Sequence, residues 1–266
     1  MAFGMSPFPL QFGSRGGGAS PFSPDSLFAG GEAGGYFDLL DLSRLFQDTA
    51  GTTPVTTSGQ TVGNLAFNGG GIVGVAPNDG ARPTYVANAG YPYLDFSSSQ
   101  LVTGNVDFSG VDEVTIILGL RKADNTTAII VESGGNSNTE DGSFGLLNAA
   151  SDLITFRSRG SSTSNASASG GETSPYTGVL TAQGDISTDT ALNSINRTTP
   201  ISSASDQGSG NYRNTPLYIG ARSGNSLNVT MRLYSMIVIG RLLSASEILH
   251  AEQWTADLIE ENFFLS

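Results

Sequence analysis

The sequence predicts an all-β fold built as an antiparallel sandwich or jelly roll, on three observations. Charged residues make up only 14% of the 266-residue chain while glycine contributes 35 residues, a balance that suits short strands joined by tight turns better than helical bundles. Segments rich in Val, Ile, Tyr, Phe and Thr recur along the chain, most of them separated by Gly, Asn, Asp or Ser clusters. Between them stand none of the crossover helices that a parallel sheet requires.

Residues 1–24 are mainly Gly, Ser, Pro and Phe, a composition that cannot cover a core of its own. Phe3, Phe8, Phe12 and Phe22 are spaced along it, and large apolar groups in a linker imply that it docks on something. The expectation is an extended assembly arm whose phenylalanines contact other proteins. The competing reading folds it back on its own domain. The remainder, 25–266, is expected to form one sandwich domain. Ser23-Pro24-Asp25 reads as a cap with proline at the first helical position, and DLSRLFQ (41–47) as a second short helix.

Strands are expected at PTYVA (83–87), YLDFS (93–97), EVTIILGLR (113–121), TAIIVES (127–133), SFGLLNA (143–149), LITFRSR (153–159), TGVLTAQ (177–183), PLYIGAR (216–222) and VTMRLYSMIVIG (229–240). In the last, Val229, Met231, Leu233, Ile237 and Ile239 share one parity, as a sheet with one buried face requires. GSSTSNASASGG (160–171) is low in complexity and reads as a rim loop. A helix over 244–262 closes the chain. Ser244-Ala245-Ser246-Glu247 is its capping box, and Ile248, Ala251, Thr255, Leu258 and Ile259 recur at helical spacing.

The net charge of −12 disfavours nucleic acid and anionic membranes as partners. With no cysteine, disulfides, thiolate metal sites and cysteine nucleophiles are excluded. No apolar run approaches the ~18 residues of a membrane span, and MAFGMSPFPLQFG lacks the regions of a secretory signal, so synthesis in the cytoplasm is expected. The sequons at Asn125, Asn165, Asn196 and Asn228 are then chance matches in a Ser/Thr/Asn-rich chain.

The catalytic inventory is sparse. GGGIVG (69–74) satisfies the letters of a dinucleotide fingerprint, but the following VAPNDGARP offers no helix to hold a pyrophosphate. His250 is the only histidine, placed in the C-terminal helix with no G-x-S-x-G elbow to accompany it. The acidic pairs Asp38/Asp41, Asp112/Glu113, Glu140/Asp141 and Glu260/Glu261 lack the same-face spacing of glycosidase carboxylates on a strand. No EF-hand pattern is present; Asn78-Asp79-Gly80 and Glu140-Asp141-Gly142 could each supply two or three oxygens to a metal, but read first as turns. The expectation is a protein that is not an enzyme, with no cofactor and no metal.

One stretch remains, DQGSGNYRNTPLYIGAR (206–222). It reads first as a turn-rich approach to a strand, with Asn and Gly there for backbone geometry. In the second reading Tyr212 and Arg213 form a stacking and hydrogen-bonding patch for a glycan, with Asp206, Asn211 and Asn214 as polar partners.

PDSLFAGGEAGGYFDLLDLSRLFQDTAGTTPVTTSGQTVG, RPTY, YLDFSS, DQGSGNYRNTPLYIGAR and RLYSMIVIGRLLSASEILHAEQW together resemble tailed-phage and prophage virion proteins with a concanavalin-A-like, laminin-G-like domain, over about residues 23–260. The sequence departs from that group at Asn196-Arg197, where a turn glycine would be more usual. The resemblance implies a non-enzymatic structural protein of a bacteriophage virion, in a tail fibre, tail tip or capsid decoration. Its surface-exposed jelly roll would be anchored to other virion proteins by the N-terminal arm. A homo-oligomer is the expectation from the particle context, and a carbohydrate-binding adhesin for host-cell attachment is the alternative.

Overall fold

The computed structural model describes residues 22–162 and 166–259. In chain order the strands are β1 (Gly34–Asp38), β2 (Leu45–Phe46), β3 (Asn64–Ala66), β4 (Val73–Val75), β5 (Thr84–Val86), β6 (Tyr93–Phe96), β7 (Leu101–Asp107), β8 (Glu113–Lys122) and β9 (Ala128–Ser133). They continue as β10 (Ser143–Ala149), β11 (Leu153–Arg159), β12 (Ala166–Gly171), β13 (Tyr176–Asp185), β14 (Thr190–Ile195), β15 (Ile201–Ser203), β16 (Asn214–Ile219) and β17 (Met231–Ile239), followed by helix α1 (Ala245–Ala256). Short 3-10 turns cover Pro24–Phe28, Leu42–Arg44 and Asp79–Ala81. All nine expected strand segments are strands, and the fold is an antiparallel β-sandwich.

The first sheet runs β15-β14-β13-β8-β17-β6-β5, with β1 also paired to β17; the second runs β12-β11-β10-β9-β16-β7-β4-β3-β2. Every pairing is antiparallel, and β6 and β1 lie end to end along the same edge of β17. Between the sheets the apolar faces close into one core, from Phe37 and Phe67 at one end through Leu118, Phe144 and Phe156 to Ile195 at the other.

A second apolar layer lies outside the first sheet. Leu27, Tyr36, Ile117, Val179, Tyr234, Ile237, Ile239, Ala251 and Ile259 cluster there beneath α1 and the N-terminal turn, with Phe22 and Trp254 packed on them. The helix can seat this low because Gly119 of β8 has no side chain: a Cβ there would come within 2.9 Å of Ile259 Cγ2 and 3.0 Å of Thr255 Cγ2. At the other end of the layer, Gly34 opens β1 at φ +118, and a Cβ would sit 2.0 Å from the Val238 carbonyl.

This double-sided burial corrects the single-parity reading of β17. The register of β17 against β8 shifts between Leu233 and Ser235. Met231 and Leu233 before the shift, and Met236 and Val238 after it, face the intersheet core, whereas Ile237 and Ile239 face the helix layer. One bulged residue reverses the facing of everything beyond it.

Two further expectations need revision. DLSRLFQ forms a single 3-10 turn and then the strand β2, because Leu45 and Val55 are drawn into the core rather than onto a helix face. The Gly160–Gly171 stretch, expected as a loop, yields β12 over its second half. There Ala166 and Ala168 point into the core while Ser167 is exposed, a period-2 alternation written in residues too small to signal as a strand. Ser244 caps α1 as expected: its Oγ accepts from the Glu247 N–H and the Glu247 carboxylate accepts from the Ser244 N–H.

Candidate binding groove

The rim loop expected to carry a stacking patch is tightly hydrogen-bonded. Tyr212 N–H donates to the Val111 carbonyl at 2.9 Å, and Gly160 N–H to the Gln207 carbonyl at 3.1 Å. The Tyr212 ring is 1% exposed. It lies edge-on to Phe144 at 5.2 Å, with its hydroxyl 2.6 Å from Ser158 Oγ, and burial raises its phenol well above the ordinary range. A ring enclosed in the core cannot stack on a ligand, so the stacking half of that reading is corrected.

The polar residues of the loop remain on the rim. Asp206 accepts from the Gly208 N–H at 2.7 Å, and Asn211 donates to the Ser109 carbonyl at 2.7 Å. Arg213 is exposed and reaches the Asp141 carbonyl at 3.4 Å, and Asn214 opens β16 opposite Asp107. Of the arm residues, Phe3, Phe8 and Phe12 lie outside the described residues. Phe22 packs on its own domain, its ring centroid 5.8 Å from that of His250 on α1.

A concave site lies elsewhere, on the outer face of the first sheet. Along β13 and β14 the opposed pairs are Thr181 with Ser194, Gln183 with Leu192 and Asp185 with Thr190. Their neighbours Leu180, Ala182, Ala191 and Ile195 fill the intersheet core, so the three pairs project outward. α1 forms one wall through Ile248 and Glu252, and the turn after β14 forms the other through Arg197, Thr198 and Pro200. Two cavities of about 210 Å³ each lie in line here and share Gln183 and Leu192. The second extends past Asp185, Thr188 and Thr190 to Leu242.

Glu252 is the organising residue of this groove. It is 5% exposed. Its Oε1 accepts from the Thr181 hydroxyl at 2.6 Å and its Oε2 from Arg197 Nε at 3.1 Å. Arg197 Nη2 also donates to the Leu249 carbonyl at 3.0 Å, tying the turn to the helix. Asn196 and Arg197 are both left-handed, at φ 47 and φ 59, a conformation costing a non-glycine residue roughly 1–2 kcal/mol. Their side chains explain why glycine is absent: Asn196 Oδ1 accepts from the Val179 N–H at 2.8 Å, and Arg197 neutralises the buried carboxylate.

The groove therefore offers a floor of hydroxyl and amide groups, aliphatic walls from Leu192, Ile248 and Pro200, and one internally compensated ion pair. Asp185 is engaged in its own turn. Burial pushes its carboxyl up, but hydrogen bonds from Thr188 and Ser187 outweigh this and hold it below the usual range. The carboxylate that accepts from the Thr181 hydroxyl is ion-paired with Arg197, and His250 is exposed on the helix. Among the described residues no group of three His, Asp or Glu could hold a metal ion.

Sequence reasoning did not pick out Thr181, Gln183, Leu192, Ser194 or Glu252. The available signal was the polar parity of TGVLTAQ and TALNSI, together with the unusual Asn196-Arg197 turn.

No sequence-family profile and no curated protein matches the chain. Among solved structures it is similar to the receptor-binding domain of botulinum neurotoxin D, with a TM-score of 0.55 at 10% identity over 72% of this chain and 50% of that one. The receptor-binding domain of the botulinum neurotoxin C/D mosaic serotype gives 0.53 at 12% identity over 71% and 48%. The binding domain of serotype G gives 0.51 at 14% over 73% and 50%. The chain spans about half the length of these domains, and at such identities the likeness is one of fold.

Proposed function

We propose that this chain is a non-enzymatic virion protein of a bacteriophage whose β-sandwich is displayed as a recognition domain, with the groove between β13–β14 and α1 as its ligand site. The observation that carries the reading is the groove itself: a polar floor beside aliphatic walls, with its two buried carboxylates already engaged, Glu252 by Arg197 and Thr181 and Asp185 by its own turn. Such a surface suits a saccharide, which offers hydroxyls to the floor and C–H faces to the walls. The fold likeness to receptor-binding domains of toxins supports recognition as the role, and the segment resemblance to phage virion proteins supports the setting. Anchoring to other virion proteins through the part of the arm that precedes Phe22, and assembly as a homo-oligomer, belong to the same proposal.

A host-glycan array probed with the full chain and with Leu192→Arg tests the binding reading. Leu192 is half-buried at the point the two cavities share, so an arginine there fills the groove without entering the core. The expected result is a saccharide bound by the wild type and lost, by at least about tenfold in affinity, in the variant, with an unchanged circular dichroism spectrum. Absence of any bound glycan, or equal binding by both proteins, would overturn it.

A further inference from the structure

The outer face of the second sheet carries a row of residues that neither the rim loop nor the groove uses. Tyr218 of β16 stands opposite Glu132 of β9, Glu132 opposite Gly145 of β10, Gly145 opposite Arg157 of β11, and Arg157 opposite Ser167 of β12. Opposed residues share a face. Val131, Leu146, Phe156 and Ala168 point into the core, so this row points away from it.

Glu132 is fully buried and fully engaged. Arg222 donates to both its oxygens, at 2.9 and 2.8 Å, and Ser137 donates its N–H and its hydroxyl to Oε1 at 2.8 and 2.7 Å. Gly145 leaves room for this arrangement, since a Cβ there would come within 2.6 Å of Ser137 Oγ.

Arg157 is different. It is half-buried, and its side chain makes no hydrogen bond or ion pair among the described residues. Burial first, and then the positive charge of Arg222, depress its guanidinium below the usual range, and Glu132 offsets this in part. Glu132 is itself neutralised by Arg222. A chain of net charge −12 has carboxylates in excess, yet among the described residues no carboxylate forms an ion pair with Arg157. A partly desolvated guanidinium without a counterion costs the fold free energy that an external anion would return.

We propose that Arg157 is the primary contact of an oxyanion-binding site on this face, taking the carboxylate or sulfate substituent of a saccharide. The planar fork of a guanidinium matches either group with two parallel hydrogen bonds. Ser167, exposed on the next strand, adds a hydroxyl. Tyr218, partly exposed three strand spacings away and so about 14 Å along the row, supplies an aromatic platform at the distance of a short oligosaccharide. The acidic surface repels extended polyanions, which restricts the ligand to an isolated charged group. The site lies on the opposite sheet from the groove, so either can fail without the other.

Thermal unfolding of the full chain in sodium sulfate and in sodium glucuronate, against sodium chloride at matched ionic strength, tests it. Sulfate stabilises proteins generally, so the quantity read is the shift in the wild type minus that in Arg157→Met. A saturable excess shift with sulfate alone assigns a sulfate ester, with glucuronate alone a carboxylate, and with both an unselective oxyanion site. Arg157→Lys should weaken the response at least about tenfold, while Arg44→Met, near the far edge of the same sheet, should leave it intact. Without added anion, Arg157→Met should melt at or above the wild-type temperature, because it removes a penalised charge. No excess over Arg157→Met, or a lowered melting temperature of that variant without anion, would overturn the proposal.

Discussion

Tyr212 and Glu252 show how a single side chain's role depends on which way its backbone turns. Tyr212 sits in a stretch of polar and glycine residues that reads as surface, yet its ring points inward onto Phe144 and only its polar neighbours reach solvent. Tyr212→Phe should therefore cost about 1 kcal/mol by urea unfolding, the value of one buried hydrogen bond, and leave ligand binding unchanged; reduced binding would return the ring to the site. At the groove, two effects of opposite sign meet in Arg197→Gly. Glycine relieves roughly 1–2 kcal/mol of left-handed strain, but leaving the buried Glu252 unpaired costs about 3–5 kcal/mol. A net loss of roughly 2 kcal/mol is expected in equilibrium unfolding, and a gain in stability would mean that water already reaches the carboxylate. Neither residue's role was legible in the sequence, because both depend on contacts more than 50 positions away: Tyr212 with Ser158 and Glu252 with Thr181.

At the scale of elements, legibility followed the size of the alternating side chains. β8, β9, β10, β11, β13, β16 and β17 alternate or concentrate large apolar residues and are legible as strands, although the facing of β17 beyond its bulge is not. β12 alternates alanine with serine, and β7 is broken by Gly104, so neither stood out. The bulge in β17 left no mark on the hydrophobic pattern, because both faces of that strand are buried. Local chemistry was more readable: the Ser244–Glu247 capping box was found from its letters and is present. There the Arg241 hydrogen bond, together with bonds from Ser244, lowers the Glu247 carboxyl from its ordinary 4.5 to about 2. A carboxyl with a depressed folded-state pKa stabilises the fold above its unfolded value, and that stability is lost as pH falls. The stability of the wild type should thus decline between about pH 4.5 and 2 more steeply than that of Glu247→Gln, as read by denaturant unfolding across that range; parallel curves would show that the Arg241–Glu247 contact does not persist in solution. Ser244→Ala should cost about 1 kcal/mol.

At the scale of the whole molecule, three layers account for the arrangement: the second sheet, the first sheet, and α1 with the N-terminal turn laid over the first sheet. The sandwich class followed from composition and strand spacing, but the third layer did not, since nothing local shows that the first sheet is apolar on both faces. That layer also creates the groove, because α1 lies across β8 and β13 and stops short of β14. Deleting residues 1–21 should leave the melting temperature unchanged while preventing incorporation into particles. Deleting residues 1–28 removes Leu27, whose burial is worth about 1.5–3 kcal/mol, and should destabilise the domain itself. The most direct test of a displayed recognition domain is cryo-electron microscopy of the intact particle that carries this chain. Residues 1–21 are expected between other virion proteins, with the groove beside α1 open to solvent on the outer surface; a groove buried against a neighbouring virion protein would overturn the proposal.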